Sequence, residues 1–291
     1  GGGDPWCCAV SFSEPNEALV CGRSAFEQYD VDAIELPGNL NADFSSRPNL
    51  YRREREITRN LSDEHWRMAR ACYYGCISEM DGQFGVLLDQ LEAADALENT
   101  VVPLLADHGR YVGAHGFDAH NIGAFEEIYR IPLVMAGPGL AADAASDALV
   151  GIQDLCPTLL ELSGAEPIEA ADSNSFASLL AEPGETPDVF REGFAEYHGS
   201  RFPLAQRILW EGQWKFVFNG FDFDELYDLE NDPDEMINLA GEESQRGRVR
   251  AMMSKIWNRL RDTNDRTLLE THYFSLRLGV IGPNEQHDGV I

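Results

Sequence analysis

Lysine is nearly absent from this chain, occurring only as Lys215 and Lys255. Lys and Arg together number 22 against 50 Asp and Glu, a net charge of −28 over 291 residues. Such a surface repels polyanions, which excludes nucleic acid and anionic membranes as partners. A GC-rich gene accounts for Arg in place of Lys but not for the carboxylate excess. Salt near 1 M, where the Debye length falls to roughly 3 Å, makes that self-repulsion tolerable, so a high-salt environment is expected. Long apolar runs are missing too. None reaches the roughly 18–20 residues that span a bilayer, and the protein is expected to be soluble, cytoplasmic or secreted. The six cysteines contain no CxxC pair, which argues against a structural zinc site. Cys72 and Cys76 stand four apart in a helical stretch and suit a metal or two buried free thiols; their apolar and aromatic neighbours favour thiols. There is no initiator Met and no signal sequence, so targeting is not legible.

What is present suffices for one large core, or a core with a small partner domain, since 44% of residues are hydrophobic. Residues 6–12 are an apolar run that predicts a buried strand, left by the loop Ser13-Glu14-Pro15-Asn16. Residues 20–57 are polar, with turn signals at Leu36-Pro37-Gly38-Asn39 and Arg47-Pro48-Asn49, and predict an irregular stretch. Within it Arg52, Arg53 and Arg55 read as a solvated face rather than an anion site. Ser62, followed by Asp63 and Glu64, predicts the start of a long helix. Its apolar stripe runs through Tyr73, Cys76, Ile77, Met80, Phe84, Leu87, Leu88 and Leu91, and is expected to pack on a sheet. Residues 100–105 and 131–136 predict strands, and residues 153–162 a helix stopped by Gly164. This alternation indicates an α/β sheet with helices on its faces. Past residue 190 the pattern changes to short runs at 194–197, 206–210, 214–218 and 225–228, parted by Glu211-Gly212 and Asn219-Gly220. They predict a small antiparallel sheet; Asn231-Asp232-Pro233 predicts a turn or a helix start, and the remainder to about residue 262 a helix. The expected division is residues 1–188 and 189–291.

The strand at 100–105 runs into Asp107-His108-Gly109, then Gly113-Ala114-His115-Gly116 and His120. In open α/β sheets ligands sit beyond the carboxyl ends of strands. There a carboxylate beside an imidazole offers a cation one hard oxygen and one nitrogen. Taken alone, the triplet is explained at least as well by a turn cap beside a surface histidine.

It does not stand alone. After it come Glu126-Glu127-Ile128-Tyr129-Arg130-Ile131-Pro132, then Asp154-Leu155-Cys156-Pro157-Thr158-Leu159-Leu160-Glu161-Leu162. Further on are Lys215-Phe216-Val217-Phe218 and Glu225-Leu226-Tyr227-Asp228-Leu229-Glu230-Asn231-Asp232-Pro233-Asp234-Glu235. In this order and spacing the chain resembles the sulfatases of the alkaline-phosphatase superfamily over most of its length. The resemblance implies an alkaline-phosphatase-like α/β sheet flanked by helices, with a small C-terminal antiparallel sheet plus helix. It implies a sulfuric ester hydrolase in which Asp107 and His108 hold a divalent metal, Ca2+ in the first place and Mg2+ as the alternative. The family nucleophile is a formylglycine made from a C-x-P-S-R-type motif, and no such motif occurs in these residues. That motif and a second Asp pair are expected upstream of Gly1, so the chain reads as a C-terminal portion that does not turn over by itself.

Two positions depart from the family pattern. Its Asp-Pro-His loop is here Glu14-Pro15-Asn16, so Asn16 is expected to bind substrate by hydrogen bonding without transferring a proton. Its sulfate-binding Lys is replaced by His120, expected to bind sulfate as a cation or to protonate the leaving oxygen. His198, near the start of the small sheet, is a further substrate-binding candidate, and His115 is expected to support the loop. The implied partner is a small sulfate ester or a sulfated glycan. The alternatives are a phosphodiesterase or phosphonate monoester hydrolase of the same superfamily, and a catalytically inactive truncated sulfatase.

Overall fold

A computed structural model describes residues 5–16, 19–120, 122–168, 172–199, 205–220 and 222–270. Its elements in chain order are helices α1 (Arg23–Phe26), α2 (Asn49–Thr58) and α3 (Asp63–Ala93), strand β1 (Val102–Leu105), helix α4 (Glu126–Tyr129), strand β2 (Leu133–Ala136), helices α5 (Leu155–Ser163) and α6 (Ala177–Ala181), strands β3 (Glu192–Tyr197), β4 (Gln206–Glu211), β5 (Trp214–Phe218) and β6 (Glu225–Asp228), and helices α7 (Arg246–Asp262) and α8 (Arg266–Leu269). Two compact units emerge, one of Gly1–Pro37 with Asn60–Thr100 and one of Gly38–Arg59 with Val101–Ile291.

The first unit is built on α3. Ser62 caps it as predicted: the His65 amide donates to Ser62 Oγ at 3.4 Å while His65 Nδ1 accepts from the Ser62 amide at 3.1 Å, and Asp63 and Glu64 complement the helix dipole. Of the expected stripe only Cys76 is buried; the buried face otherwise holds Trp66, Ala71 and Gly75. Small residues decide this, because they let the backbone before α1 approach. A Cβ on Gly75 would stand 2.7 Å from Cys21 Sγ. All six cysteines are free, with Cys76 buried and Cys72 half-buried. Residues 6–12 do not form the predicted strand and are exposed; no strand pairs with them among the described residues, and an unpaired apolar run has no ladder to join.

In the second unit β1 and β2 pair antiparallel, with Val102 opposite Ala136 and Leu105 opposite Leu133. The region expected to be irregular contains α2; Arg52 and Arg53 are exposed on it, as a solvated face requires, while Arg55 is half-buried. Arg55 donates to the carbonyls of Ala42 at 2.5 Å and Leu40 at 3.4 Å, and Arg52 to Phe44 O at 3.2 Å. They supply donors to loop carbonyls, the Phe44 carbonyl accepting from the Arg47 amide as well, at 3.3 Å. The Asp154 motif turns out to be a cap: its carboxylate accepts from the Gly151 and Asn174 amides, each at 2.8 Å. Gly164 ends α5 in the left-handed conformation at φ 66°.

Strands β3 to β6 form an antiparallel meander, the small sheet that the turn signals predict. Alternation sorts its side chains. Leu209, Phe216, Phe218 and Leu226 meet Met252, Met253, Ile256, Trp257 and Leu260 of α7. Ile208 and Val217 turn the other way, toward Ala124 and Tyr129. Helix α7 begins only at Arg246; of the two expectations for Asn231-Asp232-Pro233 the turn forms, closed by Asp232 accepting from the Met236 and Ile237 amides at 2.9 and 2.8 Å.

The β5–β6 turn carries a pH dependence. Asp224 Oδ1 accepts from the Asn219 amide at 2.8 Å, and burial pushes its carboxyl up from 3.8 to about 6. The folded chain therefore holds this proton more tightly than the unfolded one. The stabilisation is full below pH 4 and is lost as pH rises through 6, an effect of about 3 kcal/mol. In urea titrations across that window, Asp224→Asn should lose this component of the fall in stability; an unchanged slope would contradict the assignment.

Candidate metal and substrate site

Beyond β1 the chain makes a long loop, residues 106–125, before α4. Its two arms run alongside each other. The Tyr111, Val112 and Gly113 amides donate to the carbonyls of Ala119 at 3.4 Å, Asp118 at 3.3 Å and Phe117 at 2.8 Å. Residues 114–116 are the tip, and the open end carries Asp107, His108 and His120. The root is clamped to α4 and the segment after it: Gly109 N donates to Ile128 O at 2.9 Å and Ala106 N to Pro132 O at 3.4 Å.

Gly109 explains why the triplet ends in glycine. A Cβ there would lie 1.8 Å from the Glu127 carbonyl oxygen. Gly109→Ala must push the two backbone segments apart, and is expected to cost about 3 kcal/mol. A thermal melt of the variant checks this; an unshifted midpoint would mean that the clamp is looser than described.

Asp107 is exposed, its side chain 87% accessible, and its Oδ2 lies 3.8 Å from His108 Nε2. His108 Nδ1 is 2.9 Å from the Gly109 carbonyl, so it carries the proton of that bond and leaves the Nε2 lone pair outward. An imidazole with one nitrogen tied to a carbonyl is the arrangement that orients metal-binding histidines. Two bonds of roughly 2.1–2.4 Å to one ion span the oxygen–nitrogen separation. The donor pair therefore fits a divalent cation.

The His120 ring stacks on that of His108, centroids 4.1 Å apart and planes 18° from parallel. A ligated metal lies in the plane of its imidazole, and two nearly parallel planes at this spacing do not share such a point. The stacked arrangement thus leaves His120 beside the cation position rather than on it. Asp107, His108 and His120 line one broad cleft of about 1310 Å3, with Tyr129, Arg130 and Trp210 also in its wall. His198 is half exposed after β3, its Nε2 2.9 Å from Glu196 Oε2, and is not among the lining residues. Asn16 belongs to the first unit, where its amide donates to Ser13 O at 3.0 Å.

The residues around the tip form a network for which the motifs alone assign no roles. His115 is fully buried; its ring stacks on Phe125 at 3.7 Å, and its Nε2 lies 3.1 Å from Asn39 Nδ2 and 3.5 Å from Glu127 Oε2. Asn39 Nδ2 also donates to Glu127 Oε1 at 2.8 Å. Burial drives His115 below the ordinary imidazole value, against the pull of Glu127. Burial works to raise the Glu127 carboxyl, but the His115 and Asn39 contacts outweigh it and hold it low. Glu126 faces the small sheet, accepting from Trp210 Nε1 at 2.8 Å and Lys215 Nζ at 3.0 Å. Lys215 Nζ also pairs with Glu235, whose other oxygen accepts from the Glu126 amide at 2.7 Å. His115, Glu127 and Glu235 stand close enough to hold a metal among themselves. The Lys215 ammonium already supplies the positive charge there, so this cluster is the weaker metal candidate. The separate Glu126-Glu127, Lys215 and Glu235 motifs were the available signal for the network; their convergence was not visible in sequence.

Comparison with known proteins follows the same segments. Residues 35–165 match the family profile described as "Sulfatase", and residues 113–264 that described as "N-sulphoglucosamine sulphohydrolase, C-terminal". The choline-sulfatase of Rhizobium meliloti (strain 1021) is 31% identical over 253 residues, covering 84% of this chain and 48% of that protein. The phosphonate monoester hydrolase of Agrobacterium radiobacter superposes with a TM-score of 0.79 at 22% identity, over 89% of this chain and 57% of its own. The structure of BT4656 in complex with its substrate D-glucosamine-2-N,6-O-disulfate gives a TM-score of 0.75 at 20% identity, over 87% of this chain and 64% of that one. The chain spans about half the length of the curated relatives it matches, 48% and 44% for two of them. Among the described residues no helix is long and apolar enough to cross a membrane.

Proposed function

The chain belongs to the sulfatase family of the alkaline-phosphatase superfamily, and from that premise we propose that it forms part of a metal-dependent hydrolase of sulfate esters. The observation that carries this reading is the Asp107–His108 pair at the end of β1, with His108 Nδ1 tied to the Gly109 carbonyl and Nε2 turned toward Asp107. A bound divalent ion would supply a Lewis acid for a sulfate oxygen, and the attacking oxygen of this reading would come from a formylglycine. Asp107 and His108 hold the ion; an oxygen-rich shell completed by other groups suits Ca2+, with Mg2+ the alternative. His120, stacked on His108, orients the sulfate or gives a proton to the leaving oxygen. His198 belongs to the same reading as a group that contacts the rest of the substrate. Residues 1–188 are then part of the catalytic domain, and residues 189–291 a smaller subdomain.

The substrate class we propose is a small sulfate ester or sulfated glycan, supported by the family profile and by the disulfated glucosamine bound in one structural neighbour. Phosphonate ester hydrolysis is the second reading, favoured by the superposition on the phosphonate monoester hydrolase. Parallel assays of the full-length protein on 4-nitrophenyl sulfate and on a phenylphosphonate monoester separate the two. Sulfate turnover is expected to dominate. Phosphonate cleavage with no sulfate cleavage would overturn the sulfatase assignment.

A further inference from the structure

The loop that bears Asp107, His108 and His120 is fastened at its far end. At its tip Val112, Gly113, His115 and Gly116 have φ of 41°, 99°, 54° and 73°. Val112 and His115 pay for that conformation, since residues with a Cβ seldom adopt it. Such a turn persists only where its surroundings over-determine it, and here they do. The His115 ring lies against Phe125, its amide donates to Asn39 Oδ1 at 3.3 Å, and Gly116 O accepts from Thr58 Oγ1 at 2.6 Å. The same short segment grips both ends of the loop. Glu127 reaches the tip with its carboxylate, while the backbone of Glu127 and Ile128 meets Gly109 at the root. Between tip and root the two arms are laddered, so a shift at His115 is transmitted to the residues facing each other at the open end.

We propose that His115, Asn39 and Glu127 act as a positioning clasp that sets His108 against His120 and so fixes the cation site at Asp107 and His108. The clasp rests on the metal reading given above, and none of its three residues is a ligand. Removing His115 leaves the tip without its anchor; the arms then sample other registers, and the His108–His120 stack opens. The loss should be about tenfold in cation affinity, the lower end of the range for partners that orient metal ligands.

The test uses the intact chain labelled in its histidines, with two readouts. One is the nuclear Overhauser contact between the His108 and His120 ring protons. The other is the part of terbium binding that Asp107→Ala removes, which sets aside nonspecific binding to the acidic surface. His115→Ala should lose the ring contact and weaken the Asp107-dependent binding about tenfold. Leu260→Ala, which opens the core under α7 away from the loop, should destabilise the protein without either change. If His115→Ala does not fold, Asn39→Ala is read in the same way. Retention of the ring contact and unchanged terbium binding in the clasp variant would overturn the proposal. So would equal losses in Leu260→Ala, because the effect would then be global. If Asp107→Ala binds terbium like the wild type, the metal reading fails on its own account, and the ring contact still decides whether the clasp exists.

Discussion

Asp107→Ala is expected to reduce sulfate-ester turnover by the full-length protein at least about a thousandfold, the rate equivalent of losing several kcal/mol of transition-state charge stabilisation by the metal. The same change should leave thermal stability within about 0.5 kcal/mol of the wild type. The contrast follows from the side chain's situation. Asp107 is 87% accessible, and it meets the amide and ring of the adjacent His108, the amide at 2.9 Å. An exposed carboxylate with no structural burden is the kind of residue whose removal separates function from folding. A variant that kept its turnover would show that the ion is held elsewhere. A variant that lost turnover only through unfolding would reassign Asp107 to structure.

Lys215→Met is expected to do the reverse, costing about 3–5 kcal/mol of folding stability. Lys215 is fully buried, and its Nζ lies 3.0 Å from Glu126 Oε1 and also pairs with Glu235. Burial works against its charge, yet the two carboxylates outweigh that and hold the ammonium more firmly protonated than usual. Taking the ammonium away leaves Glu126 and the buried Glu235 facing each other without a counter-ion. Met fills the volume but supplies neither charge nor donor, so the penalty falls on the contact between β5 and α4. Chemical denaturation checks the magnitude. A loss under about 1 kcal/mol would mean that the pair is worth no more than a surface ion pair.

These two predictions mark what was legible in the sequence and what was not. The strand-end triplet, the Ser62 cap, the Gly164 stop and the four short strands of the small sheet are written in local signals, and each forms where its local chemistry says. The failures share a cause: they depend on partners distant in sequence. Residues 6–12 carry a strand pattern, but a strand needs a neighbour to pair with. Arg55 looks like part of a solvated face until the loop before α2 presents the Leu40 and Ala42 carbonyls to it. The stripe on α3 misplaces the buried face because Ala71 and Gly75 count for little in a hydrophobic pattern, though their smallness admits the neighbouring backbone. The network of Asn39, His115, Glu126, Glu127, Lys215 and Glu235 joins residues up to 195 positions apart, as in the Asn39 amide to Asp234 carbonyl bond. No local pattern encodes such a meeting, even though most of its members lie in motifs that stand out one by one.

The most direct measurement is a crystal structure of the full-length protein grown with Ca2+. An ion bonded to both Asp107 and His108 Nε2 at roughly 2.1–2.4 Å, with His120 stacked beside it and off the metal, is the result expected. An ion seated instead among His115, Glu127 and Glu235, with Lys215 displaced, would contradict the account.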